Sequence, residues 1–196
     1  MTCIAVIKDT DGKLVFAADR RISQTNMVWY QAGPAQKIVK RDGIIFAGSG
    51  DGYVSDLIGE IMPIPLKHPT QSLLEYLHLD FTTELTRFLR DRGLMDKDEF
   101  RLAGTTEINS EHEIFACLLM GIEGQLFELQ LTQQRILIDR MNVPHTGGCG
   151  GPYAIGALLA LDKSKLSAQD KLIKALTIAA ALSPACDTNI DIIKED

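Results

Sequence analysis

The sequence predicts an α+β fold in which antiparallel sheets carry helices on their outer faces. Three observations predict it. Strand-like and helix-like segments come in blocks, not in the strict alternation of a parallel, doubly wound sheet. Asp42-Gly43 and Glu123-Gly124 each separate two apolar runs, as hairpin turns do. The last third reads as two helices and then a short alternating strand.

The elements follow in order. Cys3 to Ile7 and Leu14 to Ala18 are apolar runs around the turn cluster Asp9-Thr10-Asp11-Gly12. Ser23 to Pro34 reads as a polar loop. Lys37 to Arg41 and Ile44 to Ala47 flank Asp42-Gly43, a pair that accepts the positive φ of a type I′ turn. Tyr53, Val54, Leu57, Ile58 and Ile61 recur at helical spacing until Pro63 and Pro65 stop the helix. Leu74, Leu77, Phe81, Leu85 and Phe88 mark an amphipathic helix with Gly93 just past its end. Glu113 to Ile122 and Gln125 to Thr132 form a third hairpin, and Arg135 to Asp139 adds a strand. After the run Gly147-Gly148-Cys149-Gly150-Gly151, Pro152 fits the first turn of a helix through Ala154, Leu158 and Leu161. Ser167 with Asp170 opens the next helix, through about Leu182. Asn189 to Ile193 is the closing strand.

Composition narrows the function classes. The chain has 196 residues, 45% hydrophobic and 23% charged, with a net charge of −6. That is globular composition with no basic footprint for nucleic acid. The N-terminus lacks the basic start and long apolar stretch of a signal peptide, and no apolar run reads as a membrane span. Cys3, Cys117, Cys149 and Cys186 match no zinc spacing and are too few for a disulfide scaffold, which points to free thiols in a cytoplasmic protein. His68, His78, His112 and His145 have no Cys or His at ligand spacing, so neither a metal nor a cofactor is expected. The glycine run at 147–151 lacks the Lys-Ser/Thr of a phosphate-binding loop. No linker divides the chain, and residues 1–196 read as one domain.

Thr2 is the first candidate for chemistry. Initiator Met is usually trimmed before a small side chain, and trimming would leave a threonine with a free α-amine. Such an amine has a reference pKa of roughly 7.7–8.0 and can serve as a general base for the adjacent hydroxyl. Alone, Thr2 would equally be a plain strand residue. Asp19 would equally be a turn residue, Lys37 a solvated strand lysine, and Gly48 and Gly50 the opening of a helix.

The order of several segments carries more. Thr2-Cys3-Ile4-Ala5-Val6 is followed by Val15-Phe16-Ala17-Ala18-Asp19-Arg20-Arg21-Ile22-Ser23, then Gln36-Lys37-Ile38, then Ile45-Phe46-Ala47-Gly48-Ser49-Gly50-Asp51-Gly52. Gly148-Cys149-Gly150-Gly151-Pro152-Tyr153-Ala154 and the closing segments Leu176-Thr177-Ile178-Ala179 and Asn189-Ile190-Asp191-Ile192-Ile193 complete the pattern. Over nearly its whole length the sequence resembles the β-subunits of the proteasome and the ring protease HslV. The resemblance implies a four-layer αββα sandwich, the N-terminal-nucleophile (Ntn) hydrolase fold. It implies a threonine endopeptidase with Thr2 as nucleophile, Lys37 lowering its proton affinity, Asp19 pairing with that lysine, and Gly50 N–H supplying the oxyanion hole. It further implies an unfolded polypeptide substrate, a homo-oligomeric ring and a separate ATPase unfoldase, with no nucleic-acid or membrane partner. A catalytically inactive assembly protein of the same fold is the alternative.

This sequence departs from the family pattern at three places. The Asp9–Gly12 turn is one residue longer. Cys149 stands where the family has a serine beside the α-amine, and a thiol is the weaker hydrogen-bond partner. Ala181 and Pro184 stand where an aspartate and a serine are expected, with Ser183 and Asp187 as near substitutes. Cys117 and Cys186 lie in apolar runs and read as core thiols. Trp29 and Tyr30 would border a substrate cleft that pairs with an extended peptide, or contact another subunit.

Overall fold

A computed structural model describes residues 2–24, 27–30, 37–95, 116–132 and 135–196, the backbone alone for 22–24 and 27–30. Two antiparallel sheets dominate. The first has the order β10-β1-β2-β11, from β1 (Ile4–Lys8), β2 (Leu14–Asp19), β10 (His145–Gly147) and β11 (Ile190–Lys194). The second runs β5-β6-β7-β8-β9, from β5 (Ile38–Arg41), β6 (Ile44–Gly50), β7 (Ala116–Ile122), β8 (Gln125–Leu131) and β9 (Ile136–Met141). Both hairpin turns form as predicted, with positive φ at Asp42 and Gly43 and at Glu123 and Gly124.

Side-chain alternation builds the layers. In β1 and β2, Ile4, Val6, Leu14, Phe16 and Ala18 pack against Ile38, Ile45, Ala47, Leu119 and Leu126 of the other sheet. The intervening Ala5, Ile7, Val15 and Ala17 pack outward with Ala154, Leu158, Leu172 and Leu176. These belong to α4 (Gly151–Ala160) and α5 (Ala168–Leu182). In the second sheet Phe46, Leu118, Met120, Phe127 and Leu129 face outward onto Val54, Ile58, Leu77, Phe81 and Leu85. Each sheet is thus buried on both faces, which gives the order helix, sheet, sheet, helix. Gly121 lets the two sheets approach closely, because a Cβ there would lie 2.6 Å from the Phe16 ring.

The helices on the second sheet differ in phase from the expected pattern. α1 (Gly52–Asp56) passes into a π-helical turn at Leu57–Ile61, and α2 (Leu73–Glu75) into another at Tyr76–Phe81 before α3 (Thr82–Asp91). A π turn has more residues per turn than an α-helix, so the buried stripe shifts. Leu73 is buried while Leu74 is exposed, and Tyr53 and Ile61 point to solvent while Val54, Leu57 and Ile58 are covered. Ser72 and Glu75 form a capping box that the periodicity did not reveal.

The segment read as a loop from Ser23 to Pro34 is corrected in its first part. Arg21–Gln24 (β3) and Met27–Tyr30 (β4) pair as an antiparallel hairpin. Its polar and aromatic mix lacks a clean alternating apolar face. Residues 31–34, the start of the third hairpin at 113–115, His112 and the side chains of Trp29 and Tyr30 lie outside the described part.

Candidate active site

Thr2 precedes β1 in the first sheet and is buried. It shares the strand parity of Ile4 and Val6, which face the second sheet. β2 flanks it on one side. On the other, the turn after β10 brings up Gly148, Cys149 and Gly150.

Asp19, the last residue of β2, anchors the β2 side. Ile4 pairs with Ala18, so Cys3 stands beside Asp19. The Asp19 N–H donates to Cys3 O at 3.1 Å. The Asp19 carboxylate is fully buried and accepts from four donors. Its Oδ1 takes the Cys3 N–H at 2.7 Å and the Lys37 ammonium at 2.7 Å. Its Oδ2 takes the Arg21 N–H at 3.3 Å and the Asp187 N–H at 3.2 Å. A buried carboxylate persists only when its charge is paired and its lone pairs are filled, and both conditions hold. Lys37, just ahead of β5, is nearly buried too, with 10% of its side chain exposed. Its carbonyl accepts the Gly48 N–H at 3.0 Å, which ties the lysine to β6 of its own sheet. The Asp19–Lys37 pair therefore bridges the two sheets beside Thr2.

The opposite side of Thr2 is thinner. The Thr2 N–H reaches Cys149 Sγ at 3.4 Å, and the Cys149 thiol reaches Thr2 O at the same distance. Gly150 N–H donates to Thr2 O at 3.2 Å. Gly148 has φ +77°, and a Cβ there would fall 2.2 Å from Thr2 O. Only glycine meets both demands. Cys149 thus stands beside the Thr2 nitrogen, where the sequence pattern puts a serine.

The expected substitutes near Ala181 and Pro184 do not reach Thr2 among the described residues. The Asp187 carboxylate accepts from Thr188 N–H at 2.6 Å and Asn189 Nδ2 at 2.9 Å. Burial pushes its pKa up, but these hydrogen bonds and the nearby Arg21 outweigh it and hold the carboxyl below its ordinary value. Its contribution is instead the backbone N–H on Asp19. Ser183 Oγ accepts the Ala185 N–H at 3.3 Å and shapes the turn after α5.

Gly50 ends β6 with φ +93°, and Asp51 behind it caps α1 by accepting the N–H groups of Tyr53 and Val54. Gly48 lets α1 pack close, since a Cβ there would lie 2.2 Å from Ser55 Oγ. A polar row that no sequence motif announces lies between the sheets. Glu128, on the face of β8 that carries Leu126, accepts from the Cys117 thiol at 2.9 Å and lies 3.6 Å from His145 Nε2. Burial first, then Glu128, pushes the Cys117 thiol up to about 12, so it is an inert donor. The alternation of β8 alone would have put Glu128 on that face. No group of His, Cys, Asp and Glu suited to a metal ion occurs among the described residues.

The four layers define a class of fold. It is the proteasome-type Ntn hydrolase fold. Among solved structures, BPH from Thiobacillus denitrificans aligns with a TM-score of 0.73 at 15% identity, over 99% of this chain and 97% of that one. BPH is also seen in complex with epoxomicin. Eukaryotic HslV from Trypanosoma brucei aligns with a TM-score of 0.63 at 18% identity, over 100% of both chains. Anbu (ancestral beta-subunit) from Yersinia bercovieri aligns with a TM-score of 0.57 at 15% identity, over 100% of this chain and 81% of that one. No protein-family model matches the sequence, and no curated protein does. No helix among the described residues is long and apolar enough to cross a membrane.

Proposed function

We propose that this chain is a threonine-type peptidase subunit of a self-compartmentalising ring protease. The observation that carries the reading is the buried Asp19–Lys37 pair beside Thr2. Two charges taken out of water are costly, and their placement at an N-terminal threonine has a chemical use.

Removal of Met1 turns the Thr2 nitrogen into a free α-amine with a reference pKa of roughly 7.7–8.0. The amine takes the hydroxyl proton as Oγ attacks a peptide carbonyl. The Lys37 charge favours the alkoxide, and Asp19 holds the lysine in place. Gly50 N–H serves the oxyanion, a role that typically lowers a barrier by roughly 3 kcal/mol. The amine then protonates the leaving group, and water releases the acyl group from Thr2. Cys149 orients the amine through a sulfur, a weak acceptor. Ring assembly, an unfolded polypeptide substrate and a separate ATPase unfoldase belong to the same proposal, as does a cytoplasmic location.

Mass spectrometry of the purified protein should find Met1 absent. The wild type should cleave unstructured peptides, and Thr2→Ala should lower cleavage by at least about 10³-fold. A threonine-directed electrophile should label the wild type and not the variant. A retained Met1 with no cleavage and no labelling would leave the inactive assembly protein as the reading.

A further inference from the structure

Cys149 is exposed, whereas Cys3 and Cys186 are buried, and all are free thiols. The Cys149 sulfur rests on Thr2 N and Thr2 O, both at 3.4 Å. The next residue, Gly150, packs onto the other two thiols. A Cβ on Gly150 would lie 2.5 Å from Cys186 Sγ and 2.8 Å from Cys3 Sγ. Adjacent Cα atoms are about 3.8 Å apart. The exposed Cys149 therefore adjoins, along the chain, the glycine that packs on the buried thiols of Cys186 and Cys3. Burial first pushes the Cys186 thiol up, and Cys149 is among the groups that act on it.

We propose that Cys149 and Cys186 form a redox-sensitive thiol pair that switches the Thr2 site, with Cys149 meeting the oxidant and Cys186 resolving it. The chemistry of the pair is independent of the peptidase reading; only its effect on cleavage rests on that reading. The oxidant is a small peroxide. The Cys149 thiolate attacks one peroxide oxygen, an S–O bond forms, the O–O bond breaks, and the released hydroxide takes a proton to become water. The Cys186 sulfur then attacks the sulfenic sulfur. An S–S bond forms, the S–O bond breaks, and the Cys186 proton leaves with the hydroxide as a second water. Two thiols and one peroxide yield one disulfide and two waters, and the two sulfurs together supply two electrons. Cys3 and Cys186 hydrogen-bond each other, but both are buried, so neither meets the oxidant first. Turning Cys149 towards Cys186 removes its sulfur from Thr2 N and Thr2 O.

The test treats the full chain with hydrogen peroxide and maps its peptides without reduction. A Cys149–Cys186 linked peptide is expected, together with a loss of peptide cleavage of about tenfold that dithiothreitol restores. In Cys186→Ala, Cys149 should oxidise past the sulfenic stage, and reductant should no longer restore cleavage. Oxidised Cys149 without the link in the wild type, or a Cys3–Cys186 link in its place, overturns the proposal. If the link forms in a protein that never cleaves peptides, the thiol pair stands and the peptidase reading falls. Cleavage that persists with no link does the reverse.

Discussion

On its β2 side Thr2 is backed by a carboxylate with four donors, one of them a lysine that reaches it from the other sheet. On its β10 side it meets one sulfur and one backbone N–H, each beyond 3.1 Å. The first side is buried, and its hydrogen bonds run to a charged carboxylate. The second is open, and its side-chain contact is a thiol. In the proposed mechanism the difference would separate two tasks. Keeping a lysine charged in a buried place needs a paired carboxylate held by rigid donors, which the Asp19 side provides. Orienting an amine would need less, and the weak sulfur contact suits that.

The largest effect is expected at Asp19. Asp19→Ala removes the carboxylate that pairs with the Lys37 ammonium and accepts three backbone N–H groups, and should cost about 3–5 kcal/mol of stability with loss of cleavage. Chemical denaturation measures the first and a peptide assay the second. A melt like that of the wild type would show that the buried pair is not what holds this side. On the other side, Gly148→Ala forces both a positive φ and a clash with Thr2 O, for about 1–3 kcal/mol. Gly12→Ala is the control, because Gly12 has φ +82° with nothing within 4 Å of its would-be Cβ. The Gly148 variant should melt lower than the Gly12 variant by the cost of the clash.

Thiol accessibility should divide along the same line. Burial pushes the thiols of Cys3 and Cys186 above their ordinary range. At pH 8 an alkylating reagent followed by mass spectrometry should take Cys149 first and spare Cys3 and Cys186 until the protein unfolds. A folded-state pKa above the unfolded value favours the native state in full below the unfolded value, about 8.5 for a thiol. That contribution is lost as pH rises through the folded values, so thermal stability should fall on the alkaline side and not between pH 6 and 8. The smallest effect is expected at Cys149→Ser. A hydroxyl accepts better than a thiol, so kcat/KM should rise a few-fold, with stability changed by less than about 1 kcal/mol. A fall in kcat/KM would mean that the sulfur itself serves the reaction.

Much of this was legible in the sequence, and for local reasons. Asp42-Gly43 and Glu123-Gly124 specify turns because their φ angles depend on a few adjacent atoms. Pro152 and Ser167 start helices by chemistry confined to one turn, and the Ser167 hydroxyl does accept the Asp170 N–H at 3.1 Å. The order of Thr2, Asp19, Lys37 and Cys149 marks them as candidates, while the Asp19–Lys37 pairing and the Cys149 contact with the Thr2 nitrogen come from the fold. The tertiary structure decided what depends on distant partners. β10 is only His-Thr-Gly and becomes a strand because β1 offers it an edge. The phase of the second-sheet helices turned on π turns that a 3.6-residue period cannot express. Asp187 joins the site through a backbone N–H, which no side-chain pattern encodes. Whether Asp19 and Lys37 are a solvated pair or a buried bridge rests on two sheets closing over them, since burial is a property of the packing and not of the residues.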